Sequence, residues 1–391
     1  MKPVYLDNNA TTAVAPEVLE DMLPYLGELY GNPSSMHTFG GKLYRKIEEA
    51  RARVAGLIGA EPEEIIFTSC GTESDNTAVM SAMESYPHKR HFVTTRVEHP
   101  AVLNFGKHLA RKGYRVTFLP VDTLGRLDME AFMKAMDDDT AVVSVMYANN
   151  ETGVLFPIQE IAAILKERNI LFHTDAVQAA GKIPINVKEL PVDMLSLSGH
   201  KLHAPKGVGV LYVRKGTRFY PYIIGGHQER GRRAGTENVA SLIAMGKACD
   251  LAGENLHKEE DTVRKLRDKL EAELLQCCPD ARVNGDTEHR LPNTTNISFE
   301  YVEGEAILLR LDEYNICASS GSACASGSLE PSHVLRTMGV PFTAIHGSIR
   351  FSLSRYNNEA EIDRVIEVLP PIIKELRTIS PFARKKIVRP K

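Results

Sequence analysis

Across residues 64–213, strand-like apolar runs alternate with helical patterns, and this alternation restricts the possible folds more than any other feature of the chain. The runs are Ile65-Ile66-Phe67, Phe92-Val93-Thr94, Val116-Thr117-Phe118, Ala141-Val142-Val143-Ser144-Val145, Ile170-Leu171-Phe172, Met194-Leu195-Ser196-Leu197 and Val208-Gly209-Val210-Leu211-Tyr212. Between several of them lie amphipathic stretches such as Ile158-Gln159-Glu160-Ile161-Ala162-Ala163-Ile164-Leu165. Strands separated by helices pair in parallel, and a parallel sheet needs cover on both faces. The expected fold is α/β, with a mainly parallel seven-stranded sheet between helices. Ligands of such sheets sit beyond the carboxyl ends of the strands. The polar residues that follow each run are therefore the candidates for chemistry.

Those residues are of unlike kinds. Gly71 and Thr72, after Phe67-Thr68-Ser69-Cys70, are expected at a helix start. Unpaired N–H groups and the macrodipole there attract a phosphate, although an ordinary cap accounts for the same residues. Arg96-Val97-Glu98-His99-Pro100 places an imidazole at the sheet edge, Asn149-Asn150-Glu151-Thr152-Gly153 an amide, and Asp175-Ala176-Val177-Gln178 a carboxylate. The run through Leu197 ends in Ser198-Gly199-His200-Lys201. A lysine closing a buried strand is costly unless charged partners or covalent chemistry use it. A desolvated lysine beside a phosphate site is what an aldehyde cofactor such as pyridoxal phosphate (PLP) needs for attachment. Each feature alone is ordinarily structural; their convergence on one sheet edge is the signal.

The rest of the chain frames this region. Residues 42–58 carry a helical stripe at Leu43, Ile47, Ala50, Val54 and Leu57. Asp7-Asn8-Asn9-Ala10-Thr11-Thr12 and Gly31-Asn32-Pro33-Ser34-Ser35 read as polar turns. Residues 225–238 are rich in glycine and arginine, a solvated loop on composition. Near Ala252-Gly253 the composition shifts, and Val263, Leu266, Leu270 and Leu274 then line a charged helix. Strands are expected at residues 296–299 and 348–353, and helices at 306–309 and 362–376, the last broken at Pro370-Pro371. These patterns predict a smaller α+β domain at residues 256–391 beside a large domain at 14–255, joined by residues 1–13. A length of 391 residues suits two domains.

Apolar and charged contents of 43% and 25% and a net charge of -3 describe an ordinary globular protein. No basic block favours nucleic acid, no run is long enough for a membrane span, and Met1-Lys2-Pro3-Val4-Tyr5-Leu6 lacks a signal-peptide core. A cytoplasmic location is expected. Six cysteines are too sparse for a disulfide framework in this length, and without Cys-x-x-Cys a four-thiolate zinc site lacks local support. Cys324 lies in a run of small residues that offers little burial, so it is expected on a mobile loop; Cys317, after Ile316, reads as a buried structural thiol.

Taken in order, Asn149-Asn150-Glu151-Thr152-Gly153, His173-Thr174-Asp175-Ala176-Val177-Gln178, Ser198-Gly199-His200-Lys201 and Ser319-Ser320-Gly321-Ser322-Ala323-Cys324 resemble the cysteine desulfurases. The likeness is closest to the NifS-like group of nitrogen-fixation systems. It runs from Tyr5 to Arg355 and implies the fold-type I, class V aminotransferase-like architecture of PLP enzymes. It implies that Lys201 carries PLP, that Asp175 pairs with the ring nitrogen, and that Gln178 bonds the ring hydroxyl. His99 would stack on the ring and move protons. Gly71, Thr72, Ser198 and His200 would hold the phosphate, with Gly199 among the cofactor-binding residues. Thr236 would reach the phosphate of a neighbouring subunit, so a homodimer is implied. Asn150 would lie beside cofactor and substrate, and Arg350 would take the carboxylate of L-cysteine in a two-pronged contact. Cys324 would be the nucleophile, taking sulfur as a persulfide, releasing L-alanine, and passing sulfur to an iron–sulfur scaffold protein. Two alternatives stay open. An aminotransferase or other lyase of this fold shares the lysine and aspartate but has no use for a cysteine in such a loop. A thiol or iron–sulfur carrier would use Cys324 and Cys317 as ligands, and Cys324 is also a candidate for transient iron–sulfur ligation.

Overall fold

The computed structural model describes residues 2–320 and 331–381. After the short strand β1 (Val4–Tyr5), helix α1 (Thr38–Ile58) buries Leu43, Ile47, Ala50 and Val54, as its stripe predicts. It ends at Gly59, whose φ of 70° lies in the left-handed region that a side chain disfavours. The seven expected strands form: β2 (Ile65–Thr68), β3 (His91–Thr95), β4 (Arg115–Leu119), β5 (Thr140–Ser144), β6 (Leu171–Asp175), β7 (Met194–Ser198) and β8 (Gly209–Val213). They make one sheet in the order β2-β8-β7-β6-β5-β3-β4. Strand β8 runs antiparallel to both its neighbours, β2 and β7, and the other pairings are parallel.

Both faces of this sheet are buried, and the strand period of two divides the side chains between them. Ile66, Phe92, Val142, Met194 and Leu211 pack with helices α2 (Gly71–Ser85) and α3 (Pro100–Arg111). Ile65, Val93, Val143, Leu195 and Val210 face the opposite layer, where α1, α4 (Ile158–Glu167) and α5 (Val239–Glu254) lie. Burying one such side chain contributes about 1.5–3 kcal/mol. A one-residue slip would exchange the two faces of a strand, so the register is tightly held, and with it the position of every residue at the strand ends.

A second apolar core is built from α6 (Arg264–Cys277), β9 (Ala281–Val283), β10 (Thr294–Phe299), α7 (Gly304–Asp312), β11 (Ile316–Cys317), β12 (Ser348–Ser352) and α9 (Glu359–Ile379). Strand β10 lies between β9 and β12, antiparallel to both. Its Ile297 and Phe299 meet Leu270 and Leu274 of α6 and Ile362, Val365 and Leu369 of α9. Leu6 belongs to this core, and β1 pairs in parallel with β11. Helix α8 (His333–Thr337) instead sends Val334 and Leu335 into the first core.

One expectation fails: α9 runs unbroken through Pro370 and Pro371. Each proline removes a backbone hydrogen bond and crowds the carbonyl one turn earlier. Val368, Leu369, Ile372 and Ile373 on either side are buried in the second core, and that packing outweighs the local cost. The basic stretch 384–391 lies outside the described residues.

Candidate active site

At the end of β7, a tight turn over Gly199–Lys201 carries Lys201 to the N-terminal polar turn. Its Nζ donates to the carbonyl oxygens of Asn9 and Ala10 at 2.6 and 2.7 Å. Gly199 is required there, because a Cβ would sit 2.6 Å from Val208 Cγ1. Thr12 clamps the same turn, its N and Oγ1 reaching the His200 carbonyl at 2.9 and 3.0 Å. His200 Nδ1 lies 3.2 Å from Thr11 Oγ1. Residues 7–12 are thus part of the site, although as a sequence they read only as a turn. The signal was available: like the other candidates, they are a polar run directly after a strand.

Asp175 closes β6, and its Oδ1 accepts from Val177 N at 2.9 Å. Burial pushes its pKa up to about 6, opposed by the Val177 hydrogen bond and by the charge of Lys201. Two further buried carboxyls share its surroundings. Burial, and then the charge of Asp175, raise Asp75 of α2 well above the usual range. Burial pushes Glu98 up to about 8. At neutral pH Glu98 holds its proton and Asp175 carries charge, while burial and the charge of Asp175 push Asp75 towards its neutral form.

Gln178 follows one turn later. Its Nε2 donates to Asn9 O at 3.0 Å, while its Oε1 is buried without a hydrogen-bond partner. Such an orphaned acceptor costs about 1–3 kcal/mol, which a donor on a bound group would recover. His99 opens α3, its Nδ1 accepting from Ala101 N at 3.2 Å, which leaves the ring proton on Nε2. Burial, then the charges of Lys201 and His333, lower its pKa to about 4, so the ring is neutral.

Helix α2 begins at Gly71 without a side-chain cap, and Thr72 beside it is exposed. The first N–H groups of a helix have no intrahelical acceptors. A Cβ on Gly71 would meet Val177 Cγ2 at 3.0 Å and Ser198 Cβ at 3.4 Å, so the helix start lies directly against the ends of β6 and β7. From the second core, Arg350 on β12 enters almost fully buried. Its Nη1 donates to Asn150 O at 3.0 Å and its Nη2 to Asp7 Oδ1 at 2.7 Å. The structure therefore gathers Gly71, His99, Asn150, Asp175, Gln178, Ser198, Gly199, His200, Lys201 and Arg350 around one point.

Thr236 is exposed; nearby Arg233 bonds Glu73 in the first turn of α2 through its Nε at 2.9 Å. Cys324 lies outside the described residues. Cys317, expected to be buried, is only half-buried on β11 beside the buried Ile316, and burial raises its pKa. Two-residue β11 pairs with the equally short β1, too small a cover to enclose both of its side chains. Among the described residues no cluster of His, Cys, Asp and Glu has the arrangement of a metal site.

The donor set fits PLP. Uncapped helix N–H groups suit its phosphate, an anionic carboxylate its ring nitrogen, an orphaned amide oxygen its hydroxyl, and a lysine amine its aldehyde.

The family described as aminotransferase class-V matches residues 4–365. A cysteine desulfurase of Trichormus azollae is 60% identical over 382 residues, covering 98% of this chain and 96% of that protein. Cysteine desulfurase NifS of Azotobacter vinelandii is 59% identical over 383 residues, covering 98% and 95%. A solved NifS-like protein superposes with a TM-score of 0.90 at 41% identity, covering 96% of this chain and all of that one. One from Rickettsia africae gives 0.85 at 34% identity, covering 95% and 99%.

Proposed function

The chain belongs to the class-V aminotransferase family, and we propose the roles by which its residues carry out PLP-dependent cysteine desulfuration, converting L-cysteine to L-alanine. The observation that carries this assignment is the lysine amine of Lys201 within electrostatic reach of a buried, charged Asp175. When bound, PLP supplies an aldehyde that captures amines and a protonated ring that draws electrons from the substrate Cα.

Asp175 would keep the proton on the ring nitrogen; the Val177 hydrogen bond and the charge of Lys201 favour its charged form. Gln178 Oε1 would accept from the ring hydroxyl. Gly71, Thr72, Ser198 and His200 would take the phosphate, with Gly199 letting the backbone approach. Lys201 Nζ would hold the cofactor, and its amine is the group placed to take the Cα proton. Arg350 binds the substrate carboxylate beside Asn150. His99, neutral above about pH 4 with its ring proton on Nε2, would stack on the ring and can donate a proton from that nitrogen. Cys324 receives the sulfur: its thiolate forms an S–S bond as the substrate C–S bond breaks. The carbon left behind takes a proton and leaves as L-alanine.

The division into 14–255 and 256–391, with 1–13 shared, puts Lys201 and Asp175 on one unit and Arg350 and Cys324 on the other. The two separate apolar cores support it. A homodimer would cover the exposed Tyr30, Met36 and Ile224 and bring Thr236 to a neighbouring phosphate. We place the reaction in the cytoplasm, where thiols stay reduced, with an iron–sulfur scaffold of a nitrogen-fixation system as acceptor. No described helix is long and apolar enough to cross a membrane. The PLP-loaded protein should yield equal L-alanine and sulfide from L-cysteine with a thiol reductant. Pyruvate, or alanine without sulfide, would overturn the reading.

A further inference from the structure

The segment that carries Cys324 is entered and left at points tied to the site. On the upstream side Ser319 and Arg350 exchange both backbone hydrogen bonds, Arg350 N to Ser319 O at 2.6 Å and Ser319 N to Arg350 O at 3.2 Å. On the downstream side Ser332 Oγ donates to Glu151 Oε2 at 2.5 Å and accepts from Val334 N and Leu335 N at 3.1 and 3.2 Å. One donor and two acceptors exhaust that hydroxyl. The next residue, His333, donates from Nε2 to the Glu98 carbonyl at 3.0 Å, on the backbone that leads into His99.

Glu151 is an unusual anchor. It is fully buried, and burial raises its pKa, while Ser332, His333 and Arg350 pull it back. A buried carboxyl is strongly disfavoured unless bonded, so its bond to Ser332 holds the chain firmly. Asn149 Oδ1 fixes Glu151 N at 2.9 Å, so the anchor belongs to the same turn as Asn150, whose carbonyl holds Arg350. None of Glu151, Ser332 and His333 has a part in the chemistry above.

We propose that Glu151, Ser332 and His333 are positioning residues for sulfur transfer: they pin the downstream end of the Cys324 segment to the 149–153 turn and to the backbone of His99. The inference rests on Cys324 as sulfur acceptor. Cys324 lies five positions after Ser319 and eight before Ser332. A chain spans at most about 3.5 Å per residue, so two fixed ends bound the volume the thiol can visit and raise its effective concentration at the substrate sulfur. Releasing one end enlarges that volume without touching the groups that bind PLP or L-cysteine.

The test is a single turnover of PLP-loaded Ser332→Ala and, separately, His333→Leu, each mixed with L-cysteine without reductant. Substrate engagement is read from the absorbance change, and sulfur on Cys324 from peptide mass spectrometry at timed quenches. The expected result is substrate engagement at the wild-type rate and concentration dependence, with loading of Cys324 slowed about tenfold or more. His333→Leu, which removes a half-buried donor rather than a fully buried one, guards against a Ser332 variant that fails to fold. Loading at the wild-type rate in both variants would overturn the proposal, as would a loss of substrate engagement equal to the loss of loading. A wild-type enzyme that turns over without sulfur on Cys324 would instead remove that residue's role, and the proposal with it.

Discussion

Lys201 Nζ lies 2.6 Å from the carbonyl oxygen of Asn9, 192 positions earlier in the chain. The same oxygen accepts Gln178 Nε2 at 3.0 Å. One peptide group of the N-terminal turn thus holds both the lysine proposed to take the cofactor aldehyde and the amide proposed for the ring hydroxyl. The first strand places that turn by pairing with β11 and by burying Leu6 in the second core.

Lys201→Ala is expected to abolish both covalent PLP and desulfurase activity. Borohydride reduction of the wild type followed by peptide mapping should place the phosphopyridoxyl group on Lys201. Lys206, exposed and five residues on, is the nearest rival amine, and an adduct there would refute the assignment.

The charge on Asp175 predicts a pH dependence of cofactor binding. Its folded pKa of about 6 lies above the usual value of 3.8, so the group takes up a proton as pH falls through 6. Affinity of the apoprotein for PLP should therefore be full above about pH 7 and weaken below pH 6. Asp175→Asn should flatten that dependence and lower desulfuration on the order of 100-fold. Titrating apoprotein with PLP between pH 5 and pH 8 checks both points, roughly the span of the carboxylate's transition; an unchanged profile in the variant would assign the titration elsewhere.

Glu98 predicts a trend in stability. Its pKa is raised by burial from 4.5 to about 8, so between those values the folded state holds a proton that the unfolded state has lost. Stability should decline as pH rises through this window, by up to about 1.4 kcal/mol per pH unit, and level off above it. Glu98→Gln should show a shallower decline. Denaturant midpoints of the apoprotein at pH 6 and 8 are the measurement.

Cys324→Ala should leave PLP bound and the spectral response to L-cysteine intact, while sulfide and alanine production collapse. Cys317→Ala should keep its activity and lose of order 1 kcal/mol of stability, since the side chain is small and only half-buried. A lyase that expels sulfide unaided would tolerate the first substitution, and an iron–sulfur carrier would suffer from either.

Thr236→Ala should weaken PLP retention without altering the fold, and the protein should sediment as a dimer. A fully active monomer in dilute solution would exclude a site shared across subunits.

Periodicity along the chain was enough to specify the strands, the two-faced burial of the sheet, and the strand ends where His99, Asp175, Gln178 and Lys201 stand. A strand alternates its side chains between its two faces, and that period is a local property. What only the tertiary structure decided lies in contacts between distant segments. Asn8 Nδ2 bonds Ser352 O 344 positions away, Ser332 reaches Glu151 across 181, and α9 passes through two prolines because its flanking residues are buried. Asp7-Asn8-Asn9 has the composition of a turn, and Glu151 that of a loop acid, because nothing in their neighbours along the chain encodes a partner. Their roles arise when two apolar cores close together and leave polar groups between them that only one another, or a bound cofactor, can satisfy.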